Sequence, residues 1–320
     1  MTKKTMLVTR PLPQSVLDAC AQKFEATFRD ADRGLTEAEA AEALGAYDII
    51  LCTLGDRFTA QAFAQAGEIR CGLLANFGVG YNHIDADAAR AAGVAVSNTP
   101  GAVTDATADI GLTLLLATAR RAGEGERLVR AGAWTGWAPT QMLGAHVTGK
   151  TVGIVGMGRI GQAVAKRCAL GFDMQVLYHS RSSKAVPLPA MQVGDLEELM
   201  SSADFVVVTV PATPETRHLI SRDMLSVMKP GGVLINISRG DVVDETALIE
   251  ALEAGRIGGA GLDVYENEPE VPERLRRLDN AVLLPHLGTA ALEVREAMGR
   301  MAFDNACAFV KDQAPPNLVN

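Results

Sequence analysis

A chain of 320 residues, 48% hydrophobic and 21% charged, is too long for one typical core and suits two domains of roughly 100 to 200 residues each. Its net charge of −8 argues against a general nucleic-acid surface, and no apolar stretch reaches the length of a membrane span. Cys20, Cys52, Cys71, Cys168 and Cys307 lack CxxC or His-rich spacing, so neither a disulfide framework nor a zinc site is expected; Met1 to Pro13 carries no signal-peptide core, and the expected compartment is the cytoplasm.

The first hundred residues alternate strand and helix signals, the pattern of a parallel sheet with crossover helices. Met6 to Thr9 opens as a strand, and Ser15 caps a helix running to about Lys23. Thr36 with Glu39 makes a capping box for the next helix, followed by strands at Ile49 to Cys52 and Leu73 to Asn76. Asp85 to Ala92 reads as a helix stopped by Gly93, Val94 to Ser97 as a strand, and Asn98-Thr99-Pro100-Gly101 breaks the pattern. Asp105 to Arg121, with Ile110, Leu112, Leu114, Leu115 and Leu116, is apolar on most faces and suits a helix buried between domains, with a plain core helix as the alternative. A second series places strands at Thr151 to Val155, Gln175 to Tyr178, Phe205 to Val210, Val233 to Ile237, Gly259 to Leu262 and Val282 to Leu284, enough for a complete doubly wound domain. Ala290 to Val310 is helical in period and is expected to return and cover the first domain.

Gly156-Met157-Gly158-Arg159-Ile160-Gly161 joins the strand Thr151 to Val155 to a helix starting near Gln162. There Gly156 permits the tight turn, Gly158 lets the backbone approach a pyrophosphate, and Gly161 lets helix and strand pack closely. The helix N-terminus offers unpaired N–H groups to the anion.

Arg239 lies just past the predicted strand ending at Ile237, where open α/β sheets place ligands, and its guanidinium suits a planar carboxylate better than a lysine would. His286 sits at another strand end between Pro285 and Leu287-Gly288, placed to donate a proton in carbonyl reduction. Glu268, before Pro269, is suited to hold one imidazole nitrogen and favour the charged ring.

Val152 to Gly161, Asn236-Ile237-Ser238-Arg239-Gly240, Gly261-Leu262-Asp263-Val264, Glu268-Pro269 and Pro285-His286 together closely resemble the D-isomer-specific 2-hydroxyacid dehydrogenases, over essentially the whole chain. The resemblance implies an α/β protein of two Rossmann-like or flavodoxin-like doubly wound domains with parallel sheets and the active site in the cleft between them. The expected domains are a discontinuous substrate-binding domain of residues 1–98 and 289–320 and a dinucleotide-binding domain of residues 99–288. It further implies that Arg239 orients the substrate carboxylate and carbonyl, that His286 is the acid/base with Glu268 as partner, and that Asp263 contacts the nicotinamide amide. Phe77-Gly78-Val79-Gly80-Tyr81-Asn82 looks like the family's substrate loop, with the N–H groups of Val79 and Gly80 facing the carboxylate.

Gly132-Ala133-Trp134-Thr135-Gly136-Trp137-Ala138-Pro139 is similar to the glyoxylate and hydroxypyruvate reductases of that family, where the segment lies at a dimer interface. A homodimer with Trp137 reaching the partner's substrate site is the expectation, with core packing of the tryptophan as the alternative. The second strand of the nucleotide domain ends in His179-Ser180-Arg181-Ser182-Ser183 with no carboxylate for a ribose 2′-hydroxyl, which favours NADP(H), with NAD(H) as the alternative. The cofactor-binding set expected is Gly156, Gly158, Arg159, Ile160, Gly161, Ser180, Arg181, Ser182, Val210, Pro211, Ile237, Ser238, Asp263, His286 and Gly288. The expected activity is reduction of small 2-keto acids such as glyoxylate and hydroxypyruvate, with no metal, nucleic-acid or membrane partner. Glu268 weighs against a formate dehydrogenase, which would carry glutamine there, and the chain's end at Asn320 against a phosphoglycerate dehydrogenase with a long C-terminal extension. A D-2-hydroxyacid dehydrogenase of another substrate, or a dinucleotide-sensing co-repressor of the same fold, stands as the rival.

Overall fold

Ile49–Thr53 and Leu73–Phe77 are buried at every position, as strands covered on both faces by helices must be. The computed structural model describes residues 3–320, so Met1 and Thr2 of the N-terminal segment lie outside the described residues. The chain divides into a first unit, Met1–Val103 with Ala290–Asn320, and a second, Thr104–Thr289.

In the first unit β1 (Thr5–Val8), β2 (Glu25–Phe28), β3 (Ile49–Thr53), β4 (Leu73–Phe77) and β5 (Ala95–Ser97) form a parallel sheet in the order β2-β1-β3-β4-β5. β2 gave no sequence signal because it is an edge strand with no buried residue, so no apolar alternation marks it. The helix Glu37–Ala46 carries the expected capping box: Glu39 N–H donates to the Thr36 hydroxyl at 3.3 Å, and Thr36 N–H to the Glu39 carboxylate at 2.8 Å. The expected cap at Ser15 is corrected. The helix Gln14–Lys23 is entered through Pro13, whose ring fixes φ at −51°, and the Ser15 hydroxyl instead donates to Glu296 at 2.8 Å. Glu296 belongs to the C-terminal helix Leu292–Phe309, which covers this sheet so closely that a Cβ on Gly72 would meet the Phe309 ring at 2.5 Å.

The second unit contains β6 (Thr151–Val155), β7 (Gln175–His179), β8 (Met191–Gln192), β9 (Phe205–Val208), β10 (Val233–Asn236), β11 (Gly259–Leu262) and β12 (Ala281–Leu283). All are parallel, in the order β12-β11-β10-β9-β6-β7-β8. Two Rossmann-like domains are therefore present, one per unit. The helix Thr104–Ala119 ends two residues short of the Arg121 expected from sequence, because Arg121 takes a left-handed φ of 52° and starts a new helix, Ala122–Arg130. It packs on one face of the second sheet, with Gly111 so close that a Cβ there would meet Ile237 at 2.9 Å. No helix among the described residues is long and apolar enough to cross a membrane.

Candidate active site

β6 delivers the chain into Gly156 at φ +98°, a left-handed backbone that favours glycine. A Cβ on Gly161 would stand 2.1 Å from the Gly156 carbonyl oxygen, so only glycine lets the helix Arg159–Phe172 start this close to the strand. Thr209, one residue past β9, locks the turn by donating its hydroxyl to the Gly156 carbonyl at 2.6 Å; sequence reading had not singled it out. Gly158 is the N-cap of that helix, has no side-chain cap, and a Cβ placed on it would meet nothing within 4 Å. The first-turn N–H groups of Arg159, Ile160 and Gly161 thus face an open cradle, and the residues present fit a dinucleotide pyrophosphate. Gly161→Ala should displace the helix start, weaken dinucleotide binding at least tenfold and destabilise the second unit by about 1–3 kcal/mol; fluorescence titration and thermal unfolding measure both. Wild-type affinity in that variant would contradict the assignment.

β7 ends at His179, and the following turn is held by the Ser180 hydroxyl donating to the Ser182 carbonyl at 2.6 Å. Arg181 is exposed there. Glu215, in the short turn Pro214–Thr216 beyond β9, lies within its field: the Thr213 hydrogen bond chiefly holds the Glu215 carboxyl below its usual range, with a smaller contribution from Arg181. Val210 packs against Gly156, where a Cβ would meet it at 2.8 Å, and Pro211 is exposed beside it.

Arg239, Asp263 and His286 follow β10, β11 and β12 and so share the carboxyl end of one sheet with the glycine turn. His286 Nδ1 lies 2.8 Å from Glu268 Oε2, with the two side chains 30% and 29% exposed. Glu268 Oε1 also accepts the Tyr265 N–H at 3.1 Å. Burial pushes the Glu268 carboxyl upward, but the hydrogen bond and charge of His286, the Tyr265 N–H and the nearby Arg239 outweigh it and leave the pKa below its ordinary value. The imidazole therefore faces an ionised partner.

His286 itself has φ +54°, costly for a residue with a Cβ. Asp263 holds that turn: its carbonyl accepts the His286 N–H at 3.0 Å, and its two carboxylate oxygens accept Leu287 N–H at 2.6 Å and Gly288 N–H at 2.8 Å. Burial pushes the Asp263 carboxyl up, with those N–H groups and His286 restraining the rise. Tyr265 steadies the same segment by donating its hydroxyl to the Leu284 carbonyl at 2.9 Å, a contact no sequence motif announced.

The Arg239 guanidinium is largely buried, and burial lowers its pKa against the opposing charges of Glu268 and Asp241. Its Nη1 donates to the Ser238 carbonyl at 2.7 Å. A Cβ on Gly240 would overlap the Tyr265 carbonyl carbon at 1.9 Å, so glycine lets the arginine loop lie directly on the chain leading to Glu268. Ile237 and Ser238 are buried, and both the N–H and the hydroxyl of Ser238 are spent on Asn236 Oδ1.

In the first unit the loop after β4 wraps around the Asn76 amide, which donates to the carbonyls of Gly78 and Gly80 at 3.0 and 3.1 Å. These two bonds turn the Gly78 and Gly80 carbonyls inward onto Asn76 and give the loop a defined backbone path. Trp137 is 81% exposed and Trp134 54%, within a stretch exposed from Ala131 to Thr140, so core packing within the chain does not explain either ring. Among the described residues no group of three or more His, Cys, Asp or Glu is arranged to hold a metal.

A glycine-bearing strand-turn-helix and a histidine in hydrogen-bond contact with a glutamate at the carboxyl end of one parallel sheet define a nicotinamide-dinucleotide-dependent dehydrogenase. Residues 112–288 match the family model described as D-isomer specific 2-hydroxyacid dehydrogenase, NAD binding domain. The chain is 42% identical to a glyoxylate reductase of Pyrococcus furiosus, covering 99% of this chain and 96% of that protein. It is 38% identical to a glycerate dehydrogenase of Hyphomicrobium methylovorum, covering 95% of each. Among solved structures, an NADPH-dependent glyoxylate/hydroxypyruvate reductase from Sinorhizobium meliloti in complex with NADP and malonate is similar, with a TM-score of 0.88 at 34% identity over 99% of this chain and 97% of that one. The chain belongs to the D-isomer-specific 2-hydroxyacid dehydrogenase family and is an NAD(P)-dependent oxidoreductase.

Proposed function

We propose that this protein uses NADPH to reduce small 2-keto acids, glyoxylate and hydroxypyruvate foremost, to the corresponding 2-hydroxy acids. The observation that carries this reading is the 2.8 Å contact between His286 Nδ1 and Glu268, which leaves Nε2 as the imidazole atom that delivers a proton to the keto oxygen. When bound, the reduced nicotinamide supplies the hydride for the keto carbon. Arg239 holds the substrate carboxylate and stabilises charge developing on the carbonyl oxygen, and the N–H groups of Val79 and Gly80 are assigned to the carboxylate as well. Asp263 keeps His286 in its left-handed turn. The reductases and the glycerate dehydrogenase among the relatives support the substrate class. Steady-state NADPH oxidation with each keto acid tests it; a protein that binds NADPH and turns over neither would be a sensor rather than a reductase.

The preference for NADPH rests on Arg181 with Ser180 and Ser182 and on the missing carboxylate after β7; the NADP complex of the Sinorhizobium meliloti relative supports it. Arg181→Ala should raise the NADPH KM about 10- to 100-fold and the NADH KM far less, since a charge-assisted phosphate contact is worth roughly 1.5–3 kcal/mol. Equal weakening of both cofactors, or a wild type that prefers NADH, removes the assignment.

The exposed Trp137 supports a homodimer in which this ring lines the partner's substrate site. Trp137→Ala should lower kcat/KM for hydroxypyruvate about tenfold or more. A wild-type protein that is monomeric by light scattering at assay concentration and fully active contradicts the dimer.

A further inference from the structure

Arg10 lies two residues beyond the carboxyl end of β1, and its guanidinium makes no hydrogen bond or ion pair with any described residue; the Nε is buried without a partner. Arg10 is otherwise partly exposed, so the Nε–H alone is shut off from water without an acceptor, a cost that an oxygen of a bound ligand would relieve. Room is kept beside it by Gly55, which follows β3 at φ +96° and where a Cβ would come within 2.7 Å of Arg10 Nη2. The neighbouring carboxylate does not quench it. Asp56 is fully buried and gives its oxygens to the Thr9 hydroxyl at 2.6 Å, the Thr53 N–H at 2.7 Å and the Leu35 N–H at 2.8 Å.

The sheet order β2-β1-β3-β4-β5 makes the β1/β3 boundary the point where successive connections leave in opposite directions. Open parallel sheets bind ligands in the crevice outside the carboxyl ends of their strands at such a point, and Arg10 and Gly55 flank it. We infer that Arg10 binds the distal carboxylate of a 2-keto diacid, extending the substrate range from monoacids to three- and four-carbon diacids. The inference rests on the reading that Val79 and Gly80 hold the keto-acid end. β4 leads into that loop and lies two strand spacings from β1, about 10 Å, a span that an arginine side chain and a short diacid cover together. A planar carboxylate matches the guanidinium fork, which a monoacid would leave unfilled.

The test compares kcat/KM with NADPH for oxaloacetate and for hydroxypyruvate in full-length wild type, Arg10→Leu and Arg10→Lys. The oxaloacetate-to-hydroxypyruvate ratio should fall about 10- to 100-fold in Arg10→Leu and less in Arg10→Lys, which keeps the charge but not the fork. An unchanged ratio overturns the inference. Calorimetric titration with malonate decides it independently of turnover: affinity should drop about tenfold or more in Arg10→Leu, and equal affinity in variant and wild type overturns it. Should wild type reduce neither keto acid, the reductase reading falls while the malonate titration still judges Arg10. If thermal unfolding shows the leucine variant misfolded, Arg10→Lys and Arg10→Gln carry the same comparison.

Discussion

Replacing His286 by alanine should lower kcat for keto-acid reduction by roughly 10² to 10⁴ while NADPH affinity, measured by fluorescence titration, changes little. The reason is positional. Three backbone hydrogen bonds to Asp263 hold residues 286–288 in place, so truncating the imidazole removes the proton donor without releasing the turn. Alanine at φ +54° is somewhat strained, so His286→Asn, which tolerates a left-handed backbone better, provides the folded control and should lose kcat to the same order. Near-normal turnover in both variants would exclude His286 as the acid/base. Glu268→Gln completes the pair. Because burial is outweighed and the folded Glu268 pKa lies below its ordinary value, the stability it contributes is full above the unfolded carboxylate range and is lost as pH falls through the lower folded pKa. Wild type should therefore lose Tm below about pH 4.5 more steeply than Glu268→Gln, and parallel Tm–pH curves would contradict an ionised Glu268.

Arg239→Met should damage KM and kcat together, lowering kcat/KM by roughly 10³-fold or more, since a carboxylate clamp acts in the ground state and a carbonyl contact in the transition state. Methionine keeps much of the buried stem, which separates charge loss from packing loss. Arg239→Lys retains charge but not the fork, and should recover only part of the loss. A pure KM effect with normal kcat would show that Arg239 binds substrate without helping the reaction, and a wild-type kcat/KM would remove it from the site.

The parts of this fold legible in sequence are those in which one short segment dictates its own geometry. The glycine turn is one: the φ of Gly156 and the missing Cβ of Gly161 are local requirements that only glycine meets, so the letters and the structure coincide. The buried strands β3, β4, β9 and β10 are another, since their apolar runs have no other stable use. β2 and the two-residue β8 were not legible, because an exposed edge forms by pairing with a neighbour rather than by burying a face of its own. Ser15 was misread as a cap for a related reason: its hydroxyl is claimed by Glu296, 281 residues away, and no local pattern records that partner.

The sequence by itself determined the class of chemistry, because strand-glycine-helix and the residues Arg239, Glu268 and His286 each sit in a local setting that few other functions require. The contact of Glu268 with His286 was expected from sequence too; only the tertiary structure decided which groups around them hold them in place. Asp263, which resemblance assigned to the nicotinamide, has both carboxylate oxygens engaged by the Leu287 and Gly288 N–H groups and so fixes the left-handed turn at His286. Thr209 locks the Gly156 carbonyl and Tyr265 braces the Leu284 carbonyl, contacts that join separate strands. The physical reason is common to all of them: a parallel sheet brings the carboxyl ends of β6, β9, β10, β11 and β12 to one edge, and hydrogen bonds between those ends depend on strand order and register, which are set by the packing of the whole sheet rather than by any one segment.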